Sequence, residues 1–240
     1  MKTAEENIRQ IEHTFREVQE ALSSEVSLSS IANLVDSHPP LFRSVAYEAA
    51  SMHLALKAMK QNVELIEWSD FLKNYASKHQ TQYLIGLGWA LAQEQTDPVN
   101  YCHQWGERVA DGYGYYEGMF RRRKTLHQQQ LPSWNETLLS NYLQGLGRSV
   151  WYISLGNVAV AVKTIQSFPQ EYRLPLWRGL GIALTYTGGS SEPELKDLKD
   201  AGDEGLVYLL EGVELAIQSR LQAASATEDM LVVKRILAEK

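Results

Sequence analysis

The sequence contains one cysteine, Cys102, among its 240 residues. A single thiol excludes an internal disulfide, and we expect a reducing, cytoplasmic compartment. Long apolar runs are also missing. No stretch of about 18 apolar residues occurs, so we expect no transmembrane helix and no membrane partner. The first 22 residues are polar and amphipathic, so we expect no signal peptide.

Metal-binding and nucleic-acid-binding patterns are missing as well. The six histidines form neither His-Glu-x-x-His nor Glu-x-x-His, so we expect no metal and no cofactor. A net charge of −6 argues against a broadly basic surface, and we expect no nucleic acid partner. The basic run Arg121–Lys124 is typical of the last helical turn, where the helix dipole favours cations. An acidic or phosphate-bearing partner is the alternative for this run.

Helical patterns are present along the whole chain. Apolar residues recur at spacings of three and four, as in Ile8, Ile11, Phe15 and Val18, whereas no long period-two alternation predicts a strand. We therefore predict an all-α fold of ten to twelve helices, stacked as antiparallel pairs in an α–α superhelix that resembles tetratricopeptide proteins. We expect one domain over residues 1–240.

Local signals predict where several helices begin. Thr96-Asp97-Pro98 predicts the start of a helix, because proline suits the first helical position. This helix either reaches Lys124 or breaks near the glycines that precede it. Ser133 with Glu136, and Ser191 with Glu194, each predict a capping box. Pro175 predicts the first turn of another helix.

Glycines recur inside these helical patterns. Gly-Leu-Gly occurs at 86–88, 145–147 and 179–181, and small residues at i and i+4 predict close packing against a neighbouring helix. A phosphate-binding loop at Asp111–Gly118 is disfavoured, since no strand precedes it and no Gly-Lys-Ser/Thr follows.

The spacing of these glycines predicts an internal duplication. Glu117-Gly118 follows Gly86 at 31 residues, and Glu211-Gly212 follows Gly179 at 32, so the two Glu-Gly pairs align. The predicted segments are an N-terminal helical part at 3–36, repeat halves at 41–125 and 134–223, and a C-terminal helix at 227–238.

Charged residues interrupt these apolar, small-residue helices. Buried charges are costly unless paired, so they predict either ion pairs between repeats or a polar cluster that binds a ligand in a cavity. Aromatic residues of the same helices would complete such a site. No catalytic residue is assigned. The candidate pocket residues are Glu48, Asp111, Tyr115, Glu117, Arg148, Trp151, Arg178, Tyr186 and Glu211.

Three segments carry a family resemblance: DGYGYYEGMF, GLGRSVWYISLGN and FPQEYRLPLWRGLGIALTYTGG. They resemble an uncharacterised bacterial domain-of-unknown-function family whose members are labelled enediyne biosynthesis proteins. The resemblance covers roughly residues 41–215 and implies no catalytic residue. Separately, GNVAVAVKTIQSFP is similar to the second helix of a tetratricopeptide repeat.

The expected function is non-enzymatic. We expect an accessory or scaffold protein that binds a protein partner or an apolar small molecule, and the resemblance implies polyketide or enediyne-type secondary metabolism. The alternative is an enzyme acting on a polyketide-like substrate in a pocket between the repeats. A shared cavity that holds Asp111, Glu117, Arg148 and Arg178 would favour an enzyme or ligand carrier, whereas pairwise ion pairs would favour a scaffold. Whether the chain forms a homo-oligomer stays an open question at this point.

Overall fold

The structure, a computed structural model, describes residues 2–22 and 26–239. Within these ranges the chain is α-helical and has no strand, which confirms the all-α prediction. No helix in the described ranges is both long and apolar enough to cross a membrane. The helices are α1 (Ala4–Ala21), α2 (Leu28–Ser37), α3 (Pro40–Gln61), α4 (Ile66–Asn74), α5 (Gln80–Gln93), α6 (Val99–Trp105), α7 (Arg108–Phe120), α8 (Glu136–Ile153), α9 (Val158–Gln166), α10 (Gln170–Thr187), α11 (Glu192–Ala201), α12 (Leu206–Gln222) and α13 (Glu228–Ala238).

Of the two predicted capping boxes, one is confirmed and the other is corrected. The Ser191–Glu194 capping box is present at α11. At α8 the cap is Asn135 rather than Ser133, because the Asn135 side chain accepts a hydrogen bond from Leu138 N at 3.0 Å. Several nearby polar residues can cap a helix, so the sequence alone did not distinguish them.

Two further predictions about helix limits were wrong. The helix after Pro98 ends at Trp105, because Gly106 takes a φ of +106° and separates α6 from α7. Pro175 lies inside α10, which begins at Gln170. A proline in the second turn removes one main-chain hydrogen bond, and the packing of α10 offsets that loss.

Six helices form an inner layer in the order α3, α5, α7, α8, α10, α12, each packed against the next. Neighbours run parallel: Gly114 of α7 meets Tyr142 of α8, and Gly118 meets Ser149. The chain returns between inner helices through outer helices α4, α6, α9 and α11. Between α7 and α8 it returns through the π-helical turn Arg123–His127 and the residues that follow.

Glycines bring the inner helices into main-chain contact, as the sequence predicts. A Cβ on Gly112 would overlap the main-chain carbonyl of Ile85, and one on Gly145 would overlap that of Asp111. The same contact recurs at every step of the inner layer. The pairs are Gly86 with Glu48, Gly112 with Ile85, Gly145 with Asp111, Gly179 with Gln144, and Gly212 with Arg178.

These contacts define equivalent positions on the inner helices, which we call the inner belt. It consists of one residue per helix, each followed by a small residue: Glu48, Ile85, Asp111, Gln144, Arg178 and Glu211. The last four are 33 or 34 residues apart. The belt therefore repeats once per inner helix and places four charged side chains at one level.

The predicted alignment of Gly118 with Gly212 is wrong in register. By its contacts the counterpart of Gly212 is Gly112, since each touches the carbonyl of the preceding belt residue. Gly118 instead faces Ser149 and Leu146 of the following helix. Residue spacing gave the wrong alignment of the two glycines, because the segment joining α5 to α7 is shorter than the segment joining α10 to α12.

Helix α12 returns to the beginning of the inner layer and closes it into a ring. Arg220 donates hydrogen bonds to the main-chain carbonyl of Leu41, at the start of α3, and to that of Tyr186. The Ser219 hydroxyl donates to Gln82 Oε1 at 3.2 Å. These contacts join residues up to 179 positions apart in sequence.

Helix α1 crosses the ring at the end where α10 terminates. Asn7 Nδ2 donates to the Thr187 carbonyl at 3.0 Å, and Gln19 Nε2 donates to the Ala49 carbonyl at 2.6 Å. Between them the Phe15 ring lies 5.0 Å from the Trp89 ring. The apolar side of α1 thus covers inner helices from α10 to α3.

Candidate functional site

A cavity of about 370 Å³ lies between α12 and the facing parts of α5, α7, α8 and α10. Its mouth is formed by the exposed residues Gln218, Leu221 and Gln222, whereas Arg148 and Tyr186 lie buried at its inner side. The remaining lining residues are Thr81, Gln82, Ile85, Arg108, Asp111, Ile182, Leu215, Ala216 and Ser219.

Asp111 is the buried carboxylate of this cavity, with 1% of its surface exposed. Arg148 Nη1 donates to Asp111 Oδ1 at 2.9 Å, and Gln144 Nε2 donates to Asp111 Oδ2. Arg108 Nη1 lies 3.6 Å from the same carboxylate. Three donor groups therefore surround Asp111, and its acceptor capacity is largely satisfied by the protein.

Arg148 is held between a carboxylate and an aromatic ring. Its guanidinium carbon lies 4.5 Å from the Tyr115 ring centroid, a cation–π distance. Burial lowers the pKa of Arg148, but Asp111 and Glu48 outweigh that effect and raise it overall. The guanidinium is therefore charged throughout the physiological range.

Two buried donors at the cavity find no hydrogen-bond partner among the described residues. They are the Arg148 Nε–H and the Tyr186 hydroxyl, and both residues line the cavity. Buried polar groups in folded proteins are nearly always bonded, and an unsatisfied one commonly marks a ligand or water position. Both residues line the cavity, but the two atoms themselves have almost no accessible surface, so a ligand would reach them only after their side chains shift toward the cavity.

Glu48 lies beside this cluster but does not line the cavity. Burial raises the pKa of its carboxyl to about 7, although nearby Arg148 lowers it and Asp111 raises it further. A carboxyl with this pKa changes charge near neutral pH. The charge of the cluster therefore depends on pH.

Arg220 is a second buried arginine on the far side of Tyr186. Its guanidinium carbon lies 3.8 Å from the Tyr186 ring centroid, and no carboxylate forms an ion pair with it in the described part of the chain. Its acceptors are main-chain carbonyls. Burial lowers the pKa of Arg220, the expected direction for a cation without a counter-charge.

The structure brings only part of the predicted pocket together. Asp111, Arg148 and Tyr186 line the cavity, and Glu48 and Tyr115 adjoin Arg148. The other predicted members, Glu117, Trp151, Arg178 and Glu211, do not line it.

Glu117 accepts hydrogen bonds from the Tyr142 hydroxyl at 2.7 Å and from Arg121 Nη1 at 3.0 Å, away from the cavity. Arg178 and Glu211 approach to 3.9 Å in a more open groove. Trp151 is packed in the core. The contacts of Glu117, Arg178 and Glu211 fit the predicted ion pairs, and Trp151 fits the prediction of a core residue, rather than a shared pocket.

Several cavity residues were not predicted from the sequence. Arg108 precedes Asp111 by three positions on one helix face, a spacing that signals a shared environment. Gln82 and Ser219 carry no such signal, because they meet only when α12 closes the ring.

The described residues also provide neither a metal site nor a reactive thiol. Within the described ranges, no three His, Cys, Asp or Glu residues are placed to hold a metal ion. Burial raises the pKa of the Cys102 thiol to about 11, so it is not activated as a thiolate near neutral pH.

Comparison with known proteins gives one family. The sequence model of a family described as "Protein of unknown function (DUF1702)" matches residues 1–240. No curated protein and no solved structure matches the chain. The family carries no assigned activity, so function must be inferred from the geometry of this chain.

Proposed function

The chain belongs to the DUF1702 family of proteins of unknown function, and we propose that it binds an amphipathic small molecule in the cavity between its inner helices. The observation that carries this proposal is a pair of unsatisfied buried donors, Arg148 Nε and the Tyr186 hydroxyl, on two residues that line a cavity. A ligand with acceptor atoms would satisfy both donors once the two side chains shift toward the cavity.

The rest of the lining supports an amphipathic ligand rather than a fully apolar one. Ile85, Ile182, Leu215 and Ala216 provide apolar contacts beside the polar cluster. Binding sites for small molecules typically combine apolar walls with a few placed polar groups. A ligand with a polar end and an apolar body fits this arrangement.

Ion pairs elsewhere support stability and do not oppose this proposal. Glu117 with Arg121, and Arg178 with Glu211, are pairs outside the cavity, as a scaffold would have. The Asp111–Arg148 pair differs because it lines the cavity. We therefore favour a ligand-binding protein over a scaffold that recognises only a protein partner.

The biological setting is also a proposal. The resemblance to proteins labelled for enediyne biosynthesis supports a ligand derived from polyketide-type secondary metabolism in a bacterium. The lone buried Cys102 is compatible with the reducing cytoplasm.

Acid–base catalysis is a second candidate function. One observation favours it: Glu48, whose pKa burial raises to about 7, lies next to Arg148 and Asp111. Because Glu48 does not line the cavity, it would act on a ligand only through Arg148. We therefore rank binding before catalysis.

Native mass spectrometry of the protein purified from its own host tests the proposal. We expect a retained small molecule in the natural protein and its loss in Ala216→Phe, which fills the cavity wall. Val207→Phe on the exposed side of the same helix is the matched control and should retain the ligand. A natural protein that carries no small molecule, as monomer or oligomer, would contradict the proposal.

A further inference from the structure

We infer that the polar end of the ligand is a carboxylate, held by Arg148 and Tyr186 at the inner side of the cavity. This inference rests on the proposed function and adds the chemical class of the ligand. It follows from the donors, the charges and the size of the cavity.

The available hydrogen-bonding groups are donors. The Arg148 Nε–H and the Tyr186 hydroxyl lack partners in the described structure, whereas Asp111 already faces three donor groups. A cationic ligand would need a free carboxylate, and Asp111 is occupied by the protein. Two free donors match the two oxygens of a carboxylate, and hydrogen bonds to a charged group are the stronger kind.

Positively charged side chains outnumber negatively charged ones around the cavity. Arg108 and Arg148 line it, and Arg220 lies directly behind Tyr186. Against these three cations stand Asp111 and the partly ionised Glu48. Uncompensated buried charge is costly, so a bound monoanion would lower the electrostatic free energy of the site.

The cavity also limits the size of the ligand. At a liquid volume of roughly 30 Å³ per water-sized group, about 370 Å³ accommodates about a dozen non-hydrogen atoms. Decanoate has that size and combines a carboxylate with an apolar chain. Its chain would contact Ile85, Ile182 and Leu215 on the way to the mouth.

Isothermal titration calorimetry of the full chain with three probes of equal chain length tests the inference. The probes are decanoate, 1-decanol and decyltrimethylammonium. We expect decanoate to bind at least about tenfold more tightly than decanol, because charge-assisted hydrogen bonds add more than neutral ones. We expect no measurable binding of the cation.

The Tyr186→Phe variant identifies the binding group. Phenylalanine keeps the ring beneath Arg220 and removes a hydroxyl that has no partner among the residues the structure describes, so folding should be unaffected. We expect its decanoate affinity to fall about tenfold. Tyr142→Phe is the matched control: it removes a buried hydroxyl bonded to Glu117, away from the cavity, and should leave decanoate affinity unchanged.

The outcomes separate this inference from the proposed function. Equal binding of decanoate and decanol would overturn the carboxylate assignment and leave a small-molecule cavity standing. Preferential binding of the cation, or an unchanged decanoate affinity in Tyr186→Phe, would also overturn the assignment. Failure of all three probes to bind would count against the proposed function itself.

Discussion

Two buried arginines, Arg148 and Arg220, differ in what balances their charge. Arg148 has Asp111 and Glu48 nearby, whereas Arg220 has main-chain carbonyls and an aromatic ring. Arginine stays charged when buried, so the protein must supply acceptors or tolerate a positive potential. The excess of positive charge next to Tyr186 follows from this difference.

The Glu48→Gln substitution should stabilise the protein above neutral pH. Burial raises the pKa of Glu48 to about 7 in the folded chain from its ordinary value of 4.5, so between these pH values the folded state binds more protons than the unfolded state. Stability of the natural protein therefore falls as pH rises through this window. We expect the variant to gain about 2–3 kcal/mol at pH 8 and almost nothing at pH 4.

Urea unfolding at pH 4, 6 and 8 measures this difference. Comparison of two chains that differ only at residue 48 cancels the contributions of other titrating groups, including His79, whose pKa is lowered to about 4 by burial. A variant that is less stable than the natural protein at pH 8 would show that ionised Glu48 is needed to balance Arg148.

At the scale of the helices, glycine contacts set the spacing of the inner layer. The sequence predicted close helix packing from its small residues, and this prediction is confirmed at every step of the belt. The sequence did not provide the register, since only contacts show that Asp111-Gly112 corresponds to Glu211-Gly212. Linkers of unequal length obscured this correspondence in the residue numbering.

Gly112→Ala should destabilise the protein by at least about 2 kcal/mol. Alanine favours a helix by about 1 kcal/mol, but its Cβ would overlap the rigid main chain at Ile85, and overpacking typically costs more than that. Gly202→Ala is the comparison, because the residue has a φ of −91° and its Cβ would lie 3.0 Å from the Leu198 carbonyl oxygen, a tight contact but not the overlap found at Gly112. Thermal unfolding monitored by circular dichroism compares the two. Equal melting temperatures would contradict the close-contact explanation.

At the scale of the whole molecule, closure of the ring creates the cavity. The candidate residues Asp111, Arg148 and Tyr186 were predictable, because a charged or aromatic side chain on a small-residue helix is unusual. The contribution of α12 was not, since Ser219 and Arg220 meet α5 and α3 only after the chain has turned through the full layer. Local periodicity contains no information on such long-range contacts.

Arg220→Ala should weaken the closed ring. The substitution removes hydrogen bonds to the carbonyls of Leu41 and Tyr186 and the contact with the Tyr186 ring, and we expect a loss of about 3 kcal/mol in unfolding free energy. Arg173→Ala is the control, because Arg173 also donates to two carbonyls, those of Phe168 and Gln166, both close to it in sequence. Its further contact, with Glu204 at 3.9 Å, is an exposed ion pair of the kind that contributes little to stability. Urea unfolding should show a clearly smaller loss for Arg173→Ala. Equal losses would mean that Arg220 does not hold the ring closed.

The most direct measurement is a crystal structure of the protein grown with decanoate. The account predicts a carboxylate within hydrogen-bonding distance of Arg148 Nε and the Tyr186 hydroxyl, with the chain against Ile85 and Ile182. Decanoate bound only on the outer surface, or a cavity filled by protein side chains, would contradict the claim that the ring of inner helices encloses a ligand site.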